Sequence, residues 1–184
     1  MLDAGAALFA TIPGGGPPPP GAVRVVEYYR PDLDHYFMTA DPAEMEFVET
    51  FLGSIFQRTG LFFHAFANQA AAPASALPVC RFYASANVMI NSHFYSAAQT
   101  ECQFVANAYP GIWALESAAA FYVLVPDANG VCQGGTIPVH RFFNNRRDAN
   151  HRYSNDLSVR RAMINRAWVP EGHGANGVVF CSPI

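Results

Sequence analysis

Asp34-His35-Tyr36-Phe37, Ser92-His93-Phe94-Tyr95 and Asn150-His151-Arg152-Tyr153 place a histidine among aromatic residues twice over at the same interval of 58 residues. A fixed interval of this size marks one supersecondary unit used repeatedly. Upstream of each histidine lies a run rich in β-branched and aromatic residues, at 25–29, 79–83 and 139–143. Such runs favour extended backbone. Turn formers stand between run and histidine: Pro31-Asp32, Ala86-Asn87 and Asn144-Asn145. Each histidine is therefore expected on the second strand of a hairpin.

Helix signals follow each histidine. Asp41-Pro42-Ala43-Glu44 reads as a capping box with proline at the first helical position. Ser96 and Gln99 repeat that spacing, and Asp156 is expected to cap a helix over 157–167 with Val159, Met163 and Ile164 on one face. Closing segments then lie at 56–62, 113–121, and 168–172 running on to 178–180. The unit reads strand, turn, histidine-bearing strand, helix, closing strand, three times, at about 22–70, 78–126 and 137–184. One such unit cannot bury its own apolar face, so the three must pack together. The expected fold is one α+β domain, mainly antiparallel, built of three pseudo-symmetric strand-strand-helix-strand repeats.

Composition narrows the partners. Of 184 residues 51% are hydrophobic, ample for a core, and only 14% are charged. A net charge of −3 removes the electrostatic case for nucleic acid or an anionic membrane surface. No stretch reaches the roughly 18 apolar residues of a membrane span. All 11 basic residues are arginine, which excludes Schiff-base catalysis and a lysine-dependent phosphate loop. There is no G-x-S-x-G and no H-E-x-x-H, so neither an enzyme nor a cofactor is expected.

The 4 cysteines, Cys80, Cys102, Cys132 and Cys181, form no C-x-x-C pair. They read as two disulfides and an oxidising, extracellular compartment, against the alternative of buried free thiols in a cytosolic protein. Three connectivities are open, and the repeat favours Cys80–Cys102 with Cys132–Cys181. Residues 1–21 read as an arm followed by a linker, Gly14-Gly15-Gly16 into Pro17-Pro18-Pro19-Pro20, with the domain at 22–184. Met1-Leu2-Asp3 carries no positive charge and residues 6–12 are short for a signal-peptide core, so the expectation is that either the precursor lost its signal or the chain is cut from something longer.

Val79-Cys80-Arg81-Phe82-Tyr83, Ser92-His93-Phe94-Tyr95-Ser96, Trp113-x-x-Glu116 and Ala120-Phe121-Tyr122-Val123 together resemble a repeat found in secreted bacterial proteins. That family is a domain of unknown function whose units carry a His-Phe-Tyr-Thr signature and often trail secreted hydrolases. The signature falls at 34–39, 91–96 and 150–154, with Arg152 replacing an aromatic residue in the third copy and an extra residue before Thr39 in the first. The resemblance implies cell-surface or polysaccharide attachment and no established activity.

A polysaccharide site needs an aromatic face for sugar C–H groups beside planar polar groups for hydroxyls. Each unit offers a set: Tyr29, His35 and Tyr36; Tyr83, His93 and Tyr95; Phe143, His151 and Tyr153. Arg81 and Arg141 are candidates for bidentate contacts, with Glu27 at the matching place in the first unit. The competing reading makes these aromatic residues an inter-repeat core. Three evenly spaced histidines also invite a metal site, but the plainer reading lets each fix its own turn, with Asp34, Asn91 or Asn150 beside it. No metal is expected. Two functions emerge. The first is a non-catalytic extracellular binding module that recognises a glycan or cell-surface polymer through the His/aromatic turns. The second is a structural subunit of an extracellular complex or filament, docking on protein neighbours through its N-terminal arm.

Overall fold

The strand-forming runs pair locally into three antiparallel hairpins, and a helix follows each. The structure, a computed structural model, describes residues 18–184, so residues 1–17 of the expected arm lie outside the described residues. In chain order the elements are β1 (Ala22–Arg30), β2 (His35–Thr39), α1 (Pro42–Phe51), β3 (Gln57–Phe66), β4 (Leu77–Pro78), β5 (Cys80–Ala84), β6 (Ser92–Ser96), α2 (Gln99–Ala108), β7 (Ala114–Ser117), β8 (Tyr122–Val123), β9 (Thr136–Phe143), β10 (His151–Ser154), α3 (Leu157–Asn165), β11 (Val169–Glu171) and β12 (Val178–Pro183). One sheet runs β2-β1-β3-β8-β4, a second β6-β5-β7, and a third β10-β9-β11 with β12 also on β9. Every strand pairing is antiparallel, so the fold is α+β and strand-rich, as expected.

The hairpins share local chemistry. Val26 stands opposite Thr39, Cys80 opposite Ser96, and His140 opposite Ser154. A left-handed residue leads into each second strand: Asp34 at φ 56° and Asn91 at 54° directly before β2 and β6, and Ala149 at 44° two residues before β10. Asp and Asn tolerate this backbone, whereas alanine is strained in it. At the other end of the strand a hydroxyl receives the amide two residues on. Asp41 N donates to Thr39 Oγ1 at 3.0 Å, Ala98 N to Ser96 Oγ at 3.0 Å, and Asp156 N to Ser154 Oγ at 3.1 Å.

These turns lead into the helices. Asp41 caps α1 by accepting from Ala43 N, and Asp156 caps α3 by accepting from Ser158 N and Val159 N. Ser96 is not the cap of α2; Ala98 holds that place without a side-chain bond, because the hydroxyl of Ser96 is used in the preceding turn. Nor does Glu44 complete a capping box, since its carboxylate is taken by Arg81. The helix expected to reach 167 stops at Asn165, and of the closing segment expected over 113–121 only Ala114–Ser117 is a strand, with β8 following it at Tyr122–Val123.

Val25, Met38, Phe63, Val79, Tyr95, Phe121, Val139, Tyr153 and Phe180, drawn from all three sheets, form the central buried cluster. Both expected disulfides are present. Cys80 on β5 joins Cys102 on α2 across 22 residues, and Cys132 joins Cys181 on β12 across 49. Loops of that size make each bridge worth about 3–4 kcal/mol on the loop-entropy argument.

α3 ends in a Schellman turn, with Ala167 N donating to Ile164 O at 2.9 Å and Trp168 N to Met163 O at 3.0 Å. Trp168 packs in one buried cluster with Met163, the apolar contact that accompanies this motif. Ala167 carries the turn at φ 60°, a place that favours glycine. Ala167→Gly is therefore expected to raise stability by about 1 kcal/mol. A urea midpoint that stays put or falls contradicts this.

Candidate functional site

The second strands β2, β6 and β10 are each the edge of a sheet, and the three edges meet at the centre of the molecule. No ladder joins them, so side chains of one hairpin satisfy peptide groups of another. Tyr95 Oη donates to Met38 O and accepts from Met38 N at 3.4 Å. Tyr153 Oη donates to Tyr95 O at 2.8 Å and accepts from Tyr95 N at 3.0 Å. Burial pushes both phenols well above their usual pKa, so each remains a proton donor. Asn150, 0% exposed, closes the set: its Oδ1 accepts from Tyr36 N at 2.9 Å, and its Nδ2 donates to Tyr36 O at 3.2 Å and Ser92 Oγ at 2.9 Å.

Ion pairs run around the same three edges. Arg81 on β5 donates Nη1 to Glu44 of α1 at 2.7 Å, and its Nε lies 2.9 Å from Glu116, a contact without hydrogen-bond alignment. Arg141 on β9 makes a bidentate pair with Glu101 of α2, both bonds at 2.9 Å, with Glu171 at 3.2 Å from its Nε. Between the first and third hairpins the charges are exchanged. Glu27 on β1 receives Arg152 Nε at 2.8 Å and Nη2 at 2.9 Å. Both residues are buried, at 5% and 8% exposure. Val159 occupies the third helical position that Glu44 and Glu101 hold in α1 and α2.

Rings complete these contacts. Phe37 lies 4.7 Å from His93, Phe94 lies 5.1 Å from His151, and the Arg152 guanidinium sits 4.0 Å above Tyr36. Of the expected ligand residues, His35, Tyr36, Tyr95, Arg141, His151 and Tyr153 are buried. Tyr29, Arg81, Tyr83, His93 and Phe143 are half-buried. Tyr29 donates to Asp34 at 3.3 Å, and Tyr83 donates to Asn91 at 2.8 Å while stacking on His93. Phe143 stacks on His151 at 5.0 Å.

The histidines do not occupy one structural place. His93 faces Tyr83 and His151 faces Phe143 across their hairpins. The residue facing Tyr29 is Tyr36, and His35 faces Arg30 one step further along. The equal spacing thus conceals a one-residue offset, because the first hairpin's second strand is written in a different register of the motif. Each ring has its own carboxylate: His35 with Asp148 at 3.1 Å, His93 with Glu116 at 3.4 Å, His151 with Glu171 at 3.2 Å. Asn91 is a partner of His35 rather than of His93, accepting from its Nδ1 at 2.9 Å. Arg146 pairs with Asp34 at 3.0 Å and with Asp148 at 3.2 Å. Among the described residues no group of three or more His, Cys, Asp or Glu could hold a metal ion.

An open recess lies between α1, β5 and the β7–β8 link. Asp41, Glu44, Arg81 and Ser117 line a cleft of about 240 Å³ whose floor includes Met38 and Phe121. The matching place between the third and first hairpins, bounded by Glu27, Phe62, Tyr153 and Ser154, encloses only about 10 Å³. Arg81 alone among the expected ligand residues borders the open cleft. Asp41 and Glu44 were legible only as helix-start residues. The signal that exposes their second role is the acidic residue at the third position of α1 and α2, each matched by an arginine on the following hairpin.

A family model described as a domain of unknown function (DUF5648) matches residues 24–178, and the chain belongs to that family. Comparison with curated proteins and with solved structures returns no match.

Arg152→Met leaves the Glu27 carboxylate buried without a partner and is expected to cost about 3–5 kcal/mol. The double variant Glu27→Gln with Arg152→Met is expected to recover most of it, as read by urea unfolding; additive losses would show that the two groups are not coupled.

Acid should unfold the protein in two stages. Burial lowers His140 and His151 from their ordinary value of 6.5, more than the neighbouring acceptors raise them. The unfolded chain then takes up protons first, so stability declines as pH falls below about 6.5. Burial opposes ionisation of Glu101, Glu116 and Glu171, but the adjoining arginine and histidine contacts outweigh it and hold all three below 4.5. Their stabilisation is in place above that value and is lost as pH falls through their lower folded-state values. Denaturant midpoints at pH 7.5, 5.5 and 4 are expected to fall in both intervals; a flat profile from 7.5 to 5.5 contradicts the histidine contribution.

Proposed function

We propose that the chain is a non-catalytic extracellular binding module, built of three copies of one hairpin–helix unit, that takes a glycan or cell-surface polymer in the cleft between its first two units. The common register of the hairpins, and the left-handed residue that leads into each second strand with the hydroxyl residue that ends it, support three copies. On this reading the His-Phe-Tyr-Thr signature is the cement between units rather than the ligand site. Its rings and hydroxyls are spent on the contacts that join one hairpin to the next. Two disulfides support an oxidising compartment.

The observation that carries the binding reading is the cleft itself. Arg81 is held between Glu44 and Glu116, and Asp41 and Ser117 border the same recess. These planar and hydroxyl groups stand on a helix start and two strands, so they are fixed before a ligand arrives, which suits recognition of sugar hydroxyls. A second reading, an assembly subunit, is favoured by Phe47 and Phe51 on α1, which are 52% and 69% exposed with ring centroids 5.3 Å apart.

The test is a glycan array followed by calorimetry on the best oligosaccharide. Asp41→Asn, which retains a helix-capping side chain, and Ser117→Ala are each expected to weaken binding about tenfold, the loss of one good hydrogen bond to a charged or hydroxyl partner. An array with no hit, or variants that bind like the parent, overturns the reading. A mass by light scattering well above 20.0 kDa, without glycan binding, places the assembly reading first.

A further inference from the structure

We infer that the cleft between α1, β5 and β7 is selective by charge, taking an amine-bearing sugar of the polymer and excluding acidic ones; this rests on the cleft being the glycan site. Asp41 and Glu44 line the recess with Arg81, and Glu116 contacts Arg81 from β7. Three carboxylates against one guanidinium leave a formal excess of two negative charges. The guanidinium already faces two carboxylates, hydrogen-bonded to Glu44 at 2.7 Å and in ionic contact with Glu116 at 2.9 Å, so an incoming carboxylate or phosphate meets a charge that is already neutralised. Arg81 sits beneath the ring of Phe37 as well, at 5.8 Å, which restricts its movement toward a ligand.

Asp41 differs from the others. Its Oδ1 accepts from Ala43 N at 2.9 Å, and among the described residues no ion pair reaches its carboxylate. The partial positive charge at the start of α1 offsets it only in part. From β6, His93 faces Glu116 rather than the cleft's Asp41 and Glu44, at 3.4 Å. A chain with net charge −3 adds no compensating positive field. An ammonium group has three donors and no acceptor, and Asp41 with Glu44 offers acceptors. At about 240 Å³ the cleft is smaller than the roughly 300–1,000 Å³ of pockets that hold a drug-sized ligand, so one residue of a polymer enters while its neighbours lie across the rim.

The experiment compares three probes by calorimetry at pH 6 and low salt: an oligomer of glucosamine, its N-acetylated counterpart, and an oligogalacturonate. The glucosamine oligomer is expected to bind at least tenfold more tightly than the acetylated one, with no measurable binding of the oligogalacturonate. Asp41→Asn is expected to shrink the preference to about threefold or less, and raising the salt to weaken only the amine-bearing probe. Equal binding of the amine and its acetylated form overturns the selectivity while leaving the glycan site standing. Best binding of the oligogalacturonate does the same. Failure of all three, together with an array on which neutral glycans also fail, removes the site itself and this inference with it.

Discussion

Three sheet edges meet inside this protein, and their peptide groups must be satisfied without water. A ladder between β2, β6 and β10 would solve this for two strands and leave the third exposed. The chain instead sends a side chain from one hairpin to both the N–H and the C=O of a single residue on the next. Tyr95 does so for Met38, Tyr153 for Tyr95, and Asn150 for Tyr36. An unpaired buried amide or carbonyl costs about 1–3 kcal/mol, so these six bonds decide whether the hairpins can meet at all. Two of the three polar tips are carried by rings, Tyr95 and Tyr153, that belong to the central buried cluster.

The ion pairs add direction. Arg81 reaches Glu44 and Arg141 reaches Glu101, each joining a first strand to the preceding helix. Glu27 is placed like those arginines but bears the opposite charge, and Arg152 answers it. A buried pair adds little net stability over apolar packing, because desolvation of both ions offsets their attraction. Its effect is on pairing. Setting Glu27 against Glu44 or Glu101 would bury like charges, so the first hairpin fits the third and not the helix of another chain.

The sequence made the strands, the helices and both disulfides readable because those follow from local composition and from order along the chain. β-branched and aromatic runs, an Asp ahead of a Pro, and cysteines placed on one strand and one helix each carry their own reason. The histidine motif was less faithful. His35, His93 and His151 are evenly spaced, yet His35 stands one step off the others, because spacing counts residues and not the register across a hairpin. Ser96 also looked like a cap, since a Ser-x-x-Gln pattern does not say whether its hydroxyl serves the turn before the helix or the helix itself. The cleft was invisible for a different reason. Asp41, Arg81 and Ser117 lie far apart in the chain, and only the packing of one hairpin on the next helix brings them together.

That same packing explains why the recesses between hairpins differ. Where the closing pair is Glu27 with Arg152, the long arginine side chain lies over Tyr36, and the recess bounded by Glu27, Phe62, Phe63 and Tyr153 keeps about 10 Å³. Where the pair is Arg81 with Glu44, the arginine comes from the strand and the glutamate from the first turn of the helix, with Ala40, Ala119 and Ala120 as the neighbours. Small side chains at those places leave about 240 Å³ open beside a fixed guanidinium and its carboxylates. Closing the ring and keeping a recess are opposing demands on one kind of junction. The chain meets them by reversing the charges at one junction and thinning the side chains at another, so a fold whose rings are consumed in holding itself together still presents a polar opening.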